Sequence, residues 1–70
     1  MRLSARNILK GSITQINKGA VNTEVILDLP GGEKLVSVIT NISAESLELK
    51  VGKQAYAIIK ASNIMVGVDE

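Results

Sequence analysis

Ala20-Val21-Asn22-Thr23-Glu24-Val25-Ile26-Leu27-Asp28-Leu29, followed at once by Pro30-Gly31-Gly32, is the stretch that decides the fold. Val21, Thr23, Val25, Leu27 and Leu29 alternate with Ala20, Asn22, Glu24, Ile26 and Asp28, the period of two that sends successive side chains to opposite faces of a strand. One face is apolar and the other mostly polar, so the segment predicts a long strand, Ala20 to Leu29, with one wet face. Proline and two glycines interrupt it, and Glu33 to Thr40 resumes as a hairpin partner. There Leu35 and Ile39 share one face while Val36 and Val38 occupy the other. Both faces of this third strand need cover, as they would between a barrel core and a neighbouring subunit.

Upstream, Asn7 to Ile16 alternates Leu9, Gly11 and Ile13 with Lys10, Ser12 and Thr14, then slips phase, because Ile16 lies three residues beyond Ile13. A bulge or sharp bend is expected at the slip or at Gly11. Asn17-Lys18-Gly19 predicts the turn into the second strand. Downstream, Ser43 is a good N-cap and Ile42 before it can staple onto Leu47, which predicts one short helix ending near Leu49 to Gly52. Gln54 to Lys60 alternates as a fourth strand, and Ile64, Val66 and Val68 alternate with Met65 and Gly67 as a fifth. Asp69 and Glu70 make a polar end. The expectation is an all-β chain of one domain, residues 1–70: a five-stranded OB-like barrel with one short helix between strands 3 and 4.

Seventy residues bury only about 60% of the surface the unfolded chain exposes, so a core of this size is marginal. The usual supports are absent. Without cysteine there is no disulfide or thiolate zinc site, and without histidine the commonest metal ligand is missing. A hydrophobic content of 46% and a mean hydropathy of +0.25 exceed what a small monomer can hide, which predicts an apolar surface buried against other copies. The longest apolar run, Ala55 to Ile59, is far short of a membrane span, and the start of the chain has no apolar signal region. A cytoplasmic protein without a membrane partner is expected.

Net charge is +1, but its distribution is uneven. Arg2, Arg6, Lys10 and Lys18 in residues 1–23, and Lys50, Lys53 and Lys60 in residues 49–68, have no acid among them, while Glu24, Asp28, Glu33, Glu45 and Glu48 lie between. If the first and last segments meet in the fold they make a positive surface without countercharge. For Lys50 and Lys53, scattered solvated lysines are an equal reading.

Nothing in the chain has the pattern of a catalytic centre: no nucleophile–base pair, no metal-ligand spacing and no phosphate loop. Nucleic acid is the common ligand of OB-like barrels, bound through stacking aromatics and a basic groove. Tyr56 is the sole aromatic residue here and the net charge is small, which argues against it. A small oxyanion fits better, since a tetrahedral dianion carries only acceptors and asks for donors alone. Ser4 and Arg6, two residues apart, would share a face of an extended segment. Thr40, Ser43 and Lys60, with amides near Ala61 and Ser62, complete such a set. Ser43 can cap the helix and also lie beside an anion at the positive end of the helix; capping alone also accounts for it.

Four segments in register, Ser4-Ala5-Arg6-Asn7, Asn17-Lys18-Gly19-Ala20-Val21, Val38-Ile39-Thr40 ahead of Ser43, and Tyr56-Ala57-Ile58-Ile59-Lys60-Ala61, make the chain resemble the molbindins over essentially its whole length. These are small cytoplasmic molybdate- and tungstate-binding proteins made of a single Mop domain. The resemblance implies an OB-like barrel assembled as a homo-hexamer, a trimer of dimers, that stores or buffers molybdate or tungstate between subunits and needs no cofactor. It implies that Ser4, Arg6, Lys60 and the following residue act with Thr40 and Ser43 of a partner copy. A second type of site at the threefold axis would fall on the turn Lys18, Gly19, Ala20, Val21 and Asn22, although a solvated turn lysine accounts for Lys18 as well. Two departures stand out. Position 61 is Ala, so only its amide can contribute there, with Ser62 as a possible hydroxyl, and Ile8-Leu9 replaces a more usual polar pair. An assembly module without a specific ligand is the competing reading.

Overall fold

The computed structural model describes residues 1–70. Four strands, β1 (Asn7–Lys18), β2 (Asn22–Asp28), β3 (Lys34–Thr40) and β4 (Gln54–Ile59), form one antiparallel sheet in the order β3-β2-β1-β4, with helix α1 (Asn41–Ser46) after β3. β1 is the spine. Its C-terminal half pairs with β2 and its N-terminal half with β4, and Ser12 is the residue common to both ladders. The register shifts between Ile13 and Gln15, at the expected phase slip, so both Ile13 and Ile16 turn inward while Thr14 is left over. Thr14 Oγ1 donates instead to the Asp28 carboxylate at 3.2 Å. Gly11, buried in the same strand, lets β2 approach: a Cβ there would lie 2.7 Å from the backbone oxygen of Asp28.

The core is small. Ile13, Val25 and Leu27 are buried, and Ile16, Ile39, Leu49 and Ala55 pack against them. The buried face of β2 follows the predicted alternation, with Thr23 buried beside the apolar residues. Val21, expected on that face, is 70% exposed because it lies before the strand. β3 and β4 alternate as expected too, and their outer residues Val36, Val38, Tyr56 and Ile58 are exposed. Only 5 of 70 residues are fully buried, so most apolar side chains have found no cover within the chain.

β2, β3 and β4 are each one to three residues shorter than the sequence reading, and the first turn and both ends of the helix also differ from it. The first turn is Gly19 to Val21, because Asn17 and Lys18 continue β1 opposite Glu24 and Thr23. The helix begins earlier and ends sooner. Thr40, not Ser43, is the N-cap, its hydroxyl accepting from Ser43 N at 3.1 Å, so Ile39 and Ala44 occupy the staple positions and Ile42 stays 79% exposed. Termination comes at Glu48, whose φ of 53° leaves the helical region. Glu48 N bonds Glu45 O at 3.0 Å and Leu49 N bonds Ala44 O at 3.1 Å, the paired bonds of a Schellman end. Lys53 Nζ donates to the Leu47 and Glu48 carbonyls at 2.9 and 3.1 Å, so this lysine is tied to the end of α1 rather than free in solvent.

The fifth strand does not form. After β4 comes a 3-10 turn, Ala61–Asn63, and then an extended segment that joins no sheet. Met65, Val66 and Val68 are 83 to 94% exposed. A strand needs a partner edge, and an alternating pattern alone does not supply one. The sheet therefore stays open between β3 and β4, over an apolar cleft of about 270 Å³ that reaches Leu35, Ile39, Ala57 and Ile59.

Candidate functional site

Asn7 and Ile59 are the outermost pair of the β1–β4 ladder, and the Asn7 side-chain amide adds a bond to Ile59 O at 3.2 Å. The residues just before Asn7 and just after Ile59 therefore emerge side by side. Ser4, Arg6, Lys60, Ala61, Ser62 and Asn63 line one open depression of about 610 Å³. Lys60 leads into the 3-10 turn, whose first bond runs from Asn63 N to Lys60 O at 2.9 Å. The amides of Ala61 and Ser62 precede that bond and have no acceptor within the turn.

The electrostatics of this depression are one-sided. No carboxylate lines it, and neither Arg6 nor Lys60 makes an ion pair or a side-chain hydrogen bond. Five of the residues expected from sequence to face an oxyanion, Ser4, Arg6, Lys60, Ala61 and Ser62, are thus brought together by the sheet.

Thr40 and Ser43 are not with them. Thr40 pairs with Asn22 at the far end of the β2–β3 ladder, beside the turn that follows β1. The two groups flank opposite ends of a 12-residue strand, separated by roughly 36 Å of extended backbone. Thr40 Oγ1 donates to Ser43 Oγ at 2.8 Å, which leaves the Ser43 hydroxyl proton available to an outside acceptor. α1 has only six residues, so the hydroxyls, rather than an accumulated helix dipole, are what this corner can offer a ligand.

The turn Lys18, Gly19, Ala20, Val21 and Asn22 lies at the same corner. Lys18 Nζ is 3.6 Å from Glu45 with both side chains well exposed, a weak pair, and Gly19 N donates to Asn22 O at 2.8 Å. Sequence reasoning passed over Asn41, which joins this turn to Thr40. The available signal was its place directly after Thr40, missed because the helix was read as starting at Ser43.

Residues 3–66 match the model of the TOBE domain. The chain is 49% identical over 69 residues, 99% of its own length and 100% of the other's, to the "Probable molybdenum-pterin-binding protein" of Haemophilus influenzae. Among solved structures it is similar to the cytoplasmic molybdate-binding protein ModG with molybdate bound, with a TM-score of 0.95 and 51% identity over 99% of this chain and 49% of that one. MopII from Clostridium pasteurianum, in an apo form, gives a TM-score of 0.91 and 39% identity over 96% of this chain and 100% of that one.

Proposed function

The chain belongs to the TOBE-domain family of molybdenum-pterin-binding proteins, and from that premise we propose that it binds molybdate or tungstate reversibly, performing no chemistry on the ligand. The observation that carries this reading is the depression in which two unpaired cations, Arg6 and Lys60, converge with the Ser4 and Ser62 hydroxyls and no carboxylate. Such a set is matched to a doubly charged acceptor.

The site is completed between copies. Thr40 and Ser43 flank the opposite end of β1 from Arg6, so a partner subunit brings them to the anion. The unformed barrel closure and the exposed Val36, Val38, Met65 and Val66 supply apolar surface for the assembly, a homo-hexamer arranged as a trimer of dimers. Its role is cytoplasmic storage or buffering of the oxyanion. The same apolar surface favours an assembly module without a ligand as the second reading. Nucleic acid fits less well, because the single aromatic, Tyr56, has Lys10 Nζ 5.9 Å above its ring.

Isothermal titration with molybdate, repeated in excess sulfate, separates these readings. Saturable binding that survives sulfate is expected. A charge-assisted hydrogen bond contributes roughly 1.5–3 kcal/mol, so Arg6→Ala should weaken binding at least about tenfold. Absence of binding by the parent at several temperatures would favour the assembly module instead.

A further inference from the structure

Every hydrogen-bonding group by which the start of α1 meets the β1–β2 turn belongs to one residue. Asn41 N donates to Val21 O at 2.9 Å, its Nδ2 donates to Gly19 O at 3.0 Å, and its Oδ1 accepts from the Thr23 hydroxyl, itself only 2% exposed. Thr40 is held through its backbone opposite Asn22 in the β2–β3 ladder, but the side chains of Thr40 and Ser43 bond only each other and the Ser43 amide. Asn41 sits between them in sequence. The ladder sets where Thr40 stands, and Asn41 sets how the turn of helix that carries Ser43 leaves it.

We propose that Asn41 is a positioning residue for the oxyanion site, locking the Thr40 and Ser43 hydroxyls to the Gly19–Thr23 turn so that they meet the anion at a set spacing. This rests on the oxyanion reading above. The spacing of donors distinguishes tetrahedral dianions of different size, since a smaller anion cannot reach both sets of donors at once. A loosened corner can follow the anion inward, so loss of the lock should reduce discrimination more than it reduces binding of the smaller ion. Gly19 and Thr23 bracket the turn tied down in this way, so Asn41 also fixes the turn Lys18 to Asn22 relative to Thr40.

Asn41→Ala alone leaves the buried Thr23 hydroxyl without its acceptor, which can unfold a small chain. Asn41→Ala/Thr23→Val removes both partners and is the variant to compare with the parent. Molybdate and sulfate affinities are measured for each by titration and competition. We expect molybdate binding about tenfold weaker in the double variant and a molybdate-to-sulfate affinity ratio lowered by a similar factor. A purely structural loss would scale both apparent affinities by the same folded or assembled fraction and leave the ratio unchanged. An unchanged ratio therefore overturns the proposal, whether molybdate affinity falls or not. A parent that binds no molybdate removes the oxyanion reading and this role with it, whereas a parent that binds, matched by the double variant, overturns the positioning role alone.

Discussion

The two ends of β1 handle their polar groups in opposite ways. At its start, Arg6 and Lys60 stand exposed in an acid-free depression with no hydrogen bond or ion pair to hold them. At its end, Thr23, Thr40, Asn41 and Ser43 are bonded to one another and to the turn backbone. One end keeps strong donors uncommitted, and the other is tied down by hydrogen bonds, with its one cation, Lys18, set against Glu45. Charge attracts an anion, while fixed hydroxyls choose among anions by geometry. Neither end has both properties, which is the physical case for a site shared by two copies.

The largest expected effect tests the charged end. Arg6→Ala/Lys60→Ala removes two charge-assisted contacts of roughly 1.5–3 kcal/mol each, so molybdate affinity should fall at least about a hundredfold, with the fold intact because neither side chain has a partner to lose. Titration and circular dichroism on the double variant read both halves of this expectation. Retained affinity would mean that the charged end is not the site. Next in size is Gly11→Ala, midway between the ends. The added methyl would lie 2.7 Å from the backbone oxygen of Asp28, and backbone cannot swing aside as a flexible side chain does. A loss of about 1–3 kcal/mol in denaturant unfolding is expected. An unchanged midpoint would show that β1 and β2 can slide apart without cost.

Much of this contrast was legible in the sequence. The alternation in β2, β3 and β4 follows directly from the pleat, and the three-residue step from Ile13 to Ile16 gave the bulge, because only an extra residue lets both face inward. The grouping of Ser4, Arg6, Lys60 and Ser62 followed from donor chemistry. What escaped depends on partners distant in sequence. Thr40, Asn41 and Ser43 are all capping residue types. The helix starts early because Asn41 is drawn to Gly19, Val21 and Thr23, a contact no local pattern announces. The fifth strand is the reverse case: Ile64 to Val68 has the pattern of a strand, yet it pairs with neither open edge of the sheet, β3 or β4. Glu48 hid the helix end, since a non-glycine residue at positive φ leaves no mark where Gly52 would attract attention.

Glu48 also offers a way to sharpen the comparison, because it lies just past the C-terminal end of α1, whose start holds Thr40 and Ser43. At φ 53° a side chain is strained and glycine is not. Glu48→Gly should stabilise the protein by about 0.5–1 kcal/mol, the relief of strain being partly offset by greater freedom of the unfolded chain. Thermal melting should rise by a few degrees while molybdate affinity stays at the parent value. A change in affinity would show that the end of α1 communicates with its start.

The smallest effect belongs to Asp28, which lies at neither end. A hydrogen bond from Lys34 Nζ at 2.7 Å, with a lesser one from Thr14, holds its carboxyl below the ordinary value of 3.8. The folded state thus binds this proton more weakly than the unfolded state does. The contribution to stability is fully present above the ordinary carboxylate value and is lost as pH falls through the lower folded value. Because the pair is exposed, solvent and salt screen it, and the contribution is small at any pH. Asp28→Asn should melt slightly below the parent at pH 6 in low salt, with the gap closing as the pH drops below the carboxylate range and also when salt is added. A gap that persists unchanged in acid would show that the charge of the Asp28 carboxylate is not its source, since the Asn carbonyl can still accept from Thr14.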